Sequence, residues 1–311
     1  MLRPALIAAA LLGLAAPALA QPSFMPPVQV TDPAPDGRRV EADGLLGNYY
    51  PAKAKGPAIL LLGGSEGGLG IGAARQAQAL QAAGFSVLHL SYYRAPGQPE
   101  VLALVPLELF DRALGWLGKQ PEVDPKRLGV IGGSKGAEAA LLVAARRPDL
   151  RAIVAGMPSS VVWPGISWTG AETRSTWSAG GKPLPALAYG GFTPGGTIEA
   201  IYTAGLASLP QRPETRIPVE RIKAAILLVC GEADTLWPSC PMARHITAKV
   251  PSAQLLAYKD AGHAVFGPPL APDNPGLRSL AQLGGTVDGN NNARADGWPK
   301  VVAFLRSALG L

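Results

Sequence analysis

The chain has 311 residues, a formal net charge of +6, and 48% hydrophobic against 16% charged residues. That is long for one domain but within reach of a single large α/β unit with insertions, and it supplies enough apolar residues for a sizeable core. The positive charge is scattered, with arginine doublets at Arg38-Arg39 and Arg146-Arg147 and no nucleic-acid motif beside them. The expectation is a solvated surface and no nucleic-acid partner.

Residues 1–20 read as a secretory signal peptide. Arg3 gives a minimal basic start, residues 5–16 are apolar, and Ala18-Leu19-Ala20 is an A-x-A cleavage signal before Gln21. The apolar run is shorter than the roughly 20 residues of a membrane span, no later segment qualifies, and no cysteine follows it to carry a lipid. The expectation is a secreted or periplasmic protein with no stable membrane insertion. In an oxidising compartment Cys230 and Cys240 either pair as a disulfide or stand as two thiols, one in a strand and one at a helix start.

Residues 21–57 form an N-terminal strand-rich segment, Pro-rich at first, with strands expected over 28–31, 38–42 and 45–50. Asp36-Gly37 and Asp43-Gly44 read as the turns between them. The apolar run 58–62 is a buried strand leading into Gly63-Gly64-Ser65-Glu66-Gly67-Gly68. A helix over 72–83, a strand over 85–90, a mostly helical stretch over 99–119 and a turn-rich connection over 120–127 follow. Residues 128–131 are the next strand. After a helix and a strand over 151–155, the pattern stops: residues 156–221 are rich in Pro, Gly, Ser, Thr and Trp, with one helical piece around 198–208. So long an irregular segment is usually functional, and here it reads as a lid-like or substrate-shaping insertion. Alternation resumes with a strand over 224–230, a helix over 241–249, a strand over 253–258, a loop over 262–292 and a last helix over 293–308. Strand and helix in alternation predict an α/β fold with a mostly parallel central sheet flanked by helices over 58–311.

The chemistry is concentrated at LGVIGGSKGAEAALL, residues 128–142. Strand, G-x-S-x-G, helix is the setting of a nucleophile elbow, with Ser134 lifted out of the sheet and Gly132 and Gly136 relieving the turn. A serine hydroxyl needs an oriented base. Of the three histidines, His89 sits inside a strand and His245 in a helix, whereas His263 follows the strand 253–258. The acid is expected from the preceding strand end, where Asp234 stands with Glu232 as its competitor; Asp260 is a third carboxylate nearby. The order Ser134, Asp234, His263 is that of an α/β-hydrolase. Oxyanion donors are expected from the backbone of Lys135 and of Ser65 or Glu66. The Lys135 side chain is expected to pair with Glu138 one helical turn on. Trp163, Trp168, Trp177 and Trp237 are candidates to line a substrate pocket. No metal or organic cofactor is required.

With these residues in place the chain resembles the C-terminal domain of acyl-CoA thioesterases and bile acid-CoA:amino acid N-acyltransferases, on the dienelactone-hydrolase side of the α/β-hydrolases. The resemblance rests on GGSEGGL at 63–69, GVIGGSKGAEAALL at 129–142, SSVVWPGISW at 159–168 and GEADTLWPS at 231–239. It continues in DAGHAVFGPP at 260–269 and GGTVDGNNNARADGWPKVVAFL at 284–305. It implies an acyl-enzyme mechanism on small-molecule acyl thioesters or esters, with Ser134, Asp234 and His263 as triad. Ser134 stands where the amino-acid-conjugating members carry cysteine, which implies transfer to water rather than to an amine. A carboxylesterase or lactone hydrolase, an acyltransferase, and a catalytically silent binding protein of the same fold are the other readings. Oligomeric state is open.

Overall fold

The computed structural model describes residues 27–167, 173–191 and 195–311. The expected signal peptide and Trp168 lie outside the described residues. Strands of the central sheet are numbered here in chain order: β1 Arg38–Ala42, β2 Leu45–Tyr50, β3 Gly56–Leu62, β4 Ser86–Ser91, β5 Val123–Gly133, β6 Ala152–Gly156, β7 Ala225–Gly231 and β8 Gln254–Tyr258. They lie in the order β1-β2-β4-β3-β5-β6-β7-β8. Only the β1–β2 and β2–β4 pairs are antiparallel. The remainder is parallel, with Leu62 of β3 in register with Gly132 of β5, and Gly133 with Gly156 of β6.

β3 is buried along its whole length, and its alternating side chains feed two cores. Leu60 and Leu62 pack with Phe110, Leu114, Leu141 and Ile246 from helices α2 (Leu107–Leu117), α3 (Lys135–Arg146) and α5 (Ser239–Lys249). Ile59 and Leu61 pack on the opposite face with Ala77, Leu80, Val301 and Leu305 from α1 (Ile71–Ala82) and α6 (Val287–Leu309). This is the α/β-hydrolase architecture. A separate core sits inside the insertion, where Val161, Trp163, Leu187 and Tyr202 meet Trp237 and Met242. Tyr202 comes from α4 (Ile198–Leu206).

The elements depart from the sequence expectations at four places. The helix expected over 99–119 begins only at Leu107, because Val105–Pro106 is extended and pairs with Trp177–Ser178 of the insertion. The connection expected over 120–127 is the start of β5, where Val123 pairs with Gly56. Of the strand expected over 28–31, an isolated bridge from Val30 to Leu69 forms. The last helix starts at Val287 rather than 293: the Thr286 side chain caps it by accepting from the Gly289 N–H, and Asn290 and Asn291 turn their amides onto neighbouring loops. Among the described residues no helix is long and apolar enough to cross a membrane.

Candidate active site

β5 ends at Gly133 and α3 begins at Lys135, leaving one residue to turn the chain. Ser134 makes that turn at φ 55°, ψ −122°, a conformation strained for a residue with a Cβ. Its N–H is held by the Gly156 carbonyl at 2.9 Å. The glycines are obligatory: a Cβ on Gly132 would lie 2.0 Å from the Gly136 oxygen, and one on Gly136 2.3 Å from the Gly63 oxygen.

His263 lies in the loop after β8. Its N–H donates to the Leu283 carbonyl at 3.0 Å, and the preceding Gly262 N–H to Asn290 Oδ1 at 3.0 Å. Asn290 is fully buried, and its Nδ2 donates to the Gly284 and Thr286 carbonyls, tying the two strands of the loop together. Asp234 follows β7. Its Oδ2 stands 2.8 Å from His263 Nδ1 and accepts from the Ser239 hydroxyl at 2.7 Å. Its Oδ1 accepts from the Leu236 and Trp237 N–H groups at 2.9 and 3.3 Å. Three donors besides the imidazole therefore fix the plane of the carboxyl group. Glu232 is committed elsewhere, to exposed Arg244, and Asp260 is exposed. Cys230, at the end of β7, and Cys240, in α5, are joined by a disulfide that closes the loop carrying Asp234.

His89 is fully buried in β4, and burial pulls its pKa down to about 3, which leaves it neutral. His245 lies in α5 with its Nδ1 3.3 Å from the Ser160 hydroxyl.

Ser134 sits where two cavities meet. One, of about 320 Å³, runs past Gly64, Ser65, Glu66, Gln76, His263 and Phe266. The other, of about 410 Å³, runs under the insertion past Lys135, Ile166, Tyr189, Ile201, Tyr202 and Trp237. The loop 63–66 between them is oriented by Tyr92, Tyr93 and Arg94, none of which belongs to a recognisable motif. The Tyr92 hydroxyl lies 2.8 and 3.0 Å from the Gly63 and Gly64 carbonyls. Tyr93 OH donates to the Ser65 carbonyl and Arg94 Nη1 to that of Glu66. In a trans peptide N–H opposes C=O, so carbonyls drawn toward these side chains turn the Ser65 and Glu66 N–H groups the other way. The Glu66 carboxylate bends back to accept from the Gly64 N–H at 2.9 Å. Lys135 opens α3, so its own N–H has no acceptor within the helix. A signal for the tyrosines was available: they follow β4 at the same sheet edge as Ser134, Asp234 and His263.

The tryptophans separate. Trp237 lines the larger cavity, and its ring meets His263 edge-on at 5.9 Å. Trp163 is fully buried behind that cavity, stacked on Tyr189 at 5.8 Å. Trp177 is core packing, against Tyr92 and Phe110. No group of three or more His, Cys, Asp or Glu side chains among the described residues is arranged to hold a metal.

Residues 105–311 match the family described as BAAT / Acyl-CoA thioester hydrolase C terminal. The chain belongs to this family. It is similar to mouse acyl-coenzyme A thioesterase 6, 28% identical over 277 residues, which cover 83% of this chain and 61% of that protein. Human acyl-coenzyme A thioesterase 1 is 26% identical over 304 residues, 92% of this chain and 67% of the relative. The chain thus spans about three fifths of the first relative's length. Among solved structures it is similar to a Pyrococcus furiosus esterase, with a TM-score of 0.54 and 16% identity over 91% of this chain and 99% of the other. A dienelactone hydrolase-like promiscuous phosphotriesterase from metagenomic libraries gives a TM-score of 0.51 at 17% identity, over 88% of this chain and 98% of the other. At these identities the structures speak for the fold.

Proposed function

We infer that this family member is an exported serine hydrolase that cleaves acyl esters or thioesters through an acyl-enzyme. The observation that carries the reading is the 2.8 Å contact of His263 Nδ1 with a fully engaged Asp234, in a site that opens on the strained Ser134. Ser134 Oγ attacks the acyl carbonyl while His263 Nε2 takes its proton; Asp234 holds the imidazole and stabilises the imidazolium. The oxyanion is received by the N–H groups of Lys135 and of Ser65 or Glu66, each such donor being worth about 10²–10³ in rate. His263 then protonates the leaving alcohol or thiol. Water, deprotonated by the same imidazole, attacks the acyl-enzyme, and the proton returns to Ser134 as the acid leaves.

The apolar, aromatic arm suits the acyl group, and the arm past Gln76 and Phe266 suits the leaving group. Among the described residues Lys135 is the one Lys or Arg lining either arm, and its ammonium is bound to Glu138. A CoA thioester would therefore carry its phosphates beyond both arms. Export belongs to the same reading: it accounts for the A-x-A signal at residues 18–20 and for a buried disulfide.

The test is covalent labelling by a fluorophosphonate, expected with the native chain and lost in Ser134→Ala; no labelling would overturn the reading. Hydrolysis of one acyl group offered as its CoA thioester and as an aryl ester then separates the leaving groups. Preference for the CoA form makes it a thioesterase, and equal or faster cleavage of the aryl ester makes it an esterase. Mass spectrometry of the exported protein should find Gln21 at its N-terminus.

A further inference from the structure

The side chains of Lys135 and Glu138, an ionic pair in the first turn of the helix that follows Ser134, take no part in that mechanism. Lys135 Nζ and Glu138 Oε2 are 3.0 Å apart, with side chains only 1% and 0% exposed. On a helix surface such a pair would stabilise by a few tenths of a kcal/mol. Buried, the desolvation of two charges exceeds their attraction unless the remaining protons and lone pairs are also matched. Burial pulls the Lys135 pKa down and pushes that of Glu138 up, and each partner opposes the other's shift.

The matching groups all belong to the 156–221 insertion. Lys135 Nζ donates to Thr176 Oγ1 at 2.8 Å and to the Pro164 carbonyl at 3.3 Å. Glu138 Oε1 accepts from the Trp163 N–H at 3.0 Å and from Trp177 Nε1 at 2.8 Å. Two segments of an otherwise irregular stretch are thereby fixed to the first turn of α3, directly after Ser134. From there the contacts run into the apolar arm. Trp163 stacks on Tyr189 and meets Tyr202 edge-on at 4.8 Å; Tyr202 meets Trp237 at 5.6 Å; Tyr189 OH donates to the Pro164 carbonyl at 3.0 Å. Tyr189, Tyr202 and Trp237 wall the arm.

We propose that the buried Lys135–Glu138 pair is a latch that seats the insertion on the helix behind Ser134, and so determines which acyl chains the apolar arm accepts. This rests on the hydrolase reading above. The latch acts through the insertion: Glu138, Thr176 and Trp177 are positioning residues, outside the lining of either cavity. Seating by hydrogen bonds from one charged pair ties the arm's walls to the nucleophile's own helix, so a loosened latch shifts the walls and leaves Ser134, His263 and Asp234 in place.

The test uses a series of aryl esters from short to long acyl chains, with Trp177→Phe, Thr176→Val and Glu138→Gln. Trp177→Phe removes one N–H from Glu138 and keeps a ring against Phe110 and Tyr92; Thr176→Val removes one partner of Lys135. For both, fluorophosphonate labelling and short-ester kcat should stay within about twofold of the native values. The ratio of long-chain to short-chain kcat/KM should move by roughly tenfold through KM, the scale on which a pocket discriminates methylenes. Glu138→Gln should move it further; if that chain does not fold, the other two variants decide. An unchanged chain-length ratio in folded variants that label normally would overturn the latch alone. A uniform fall over every chain length would also overturn it, by placing the pair's influence on Ser134. Absence of labelling in the native enzyme would overturn the hydrolase reading, and the latch with it.

Discussion

The sheet edge and the insertion are built by different means. At the edge, Ser134, Asp234 and His263 each follow a strand of the parallel sheet, and backbone atoms place them: Ser134 N on the Gly156 carbonyl, His263 N on the Leu283 carbonyl, two N–H groups on Asp234. Glycines let the strands and loops approach where any side chain would collide. The insertion has little regular structure. Scattered backbone bonds staple it, such as Val162 N on the Thr215 carbonyl and Leu187 N on that of Val162, and its cavity wall is set by side chains: an aromatic cluster around Trp163, and the buried Lys135–Glu138 pair. A backbone-built frame is stiff and serves every substrate alike, whereas a side-chain-built wall can be re-cut residue by residue. Changes to the frame should therefore alter rate for all substrates, and changes to the wall should alter choice among them.

The largest expected effect is in the frame. Asp234→Asn should lower kcat about 10⁴-fold on short and long acyl esters alike, since an amide in that place holds the imidazole in the wrong tautomer, with its proton on Nε2; a chain-dependent loss would break the distinction. Replacing both cysteines, Cys230→Ser with Cys240→Ser, opens a loop of ten residues' separation and should lower unfolding free energy by about 2–3 kcal/mol. Denaturant melts would measure this, and the chain-length profile should not move. Tyr202→Leu opens the wall and should change the long-to-short ratio of kcat/KM by roughly tenfold with labelling intact. A uniform fall in kcat would place Tyr202 with the frame instead.

The smallest effect is on pH. His89 has a folded pKa depressed to about 3 by burial, from an ordinary value of 6.5. Its contribution is present above about 6.5 and is lost as pH falls toward 3, because the unfolded chain binds the proton first. His89→Leu should therefore flatten the acid side of a Tm-against-pH curve relative to the native chain, without touching substrate choice. Parallel curves would mean that His89 gains a polar partner that neutralises the cost of burial.

How much of this was legible differs by element. The elbow was, because strand, G-x-S-x-G and helix are contiguous and sterics leave that sequence few conformations. Histidine positions relative to strand ends singled out His263, and the structure brings it to Asp234 rather than to Glu232 or Asp260. The last helix begins six residues before its sequence suggests: asparagines look like loop residues until Asn290 and Asn291 find distant partners at Gly262 and Leu270. Residues 99–106 look helical by composition, yet Val105–Pro106 pair with a strand more than 70 residues on. Trp163, Trp177 and Trp237 are alike in sequence and end behind, away from and within the cavity wall.

By itself the sequence determined whatever depends on neighbours in the chain: the alternating α/β order, the buried parallel strands, the elbow, and the helical spacing that pairs Lys135 with Glu138. Tertiary structure alone decided that Glu232 turns away to Arg244, that Tyr92, Tyr93 and Arg94 orient the loop 63–66, and that the Lys135–Glu138 pair is buried beneath the insertion. The physical reason is range. Backbone sterics and hydrophobic periodicity act over a few residues, whereas the partners of a buried polar group are chosen by packing between segments that the sequence does not place side by side.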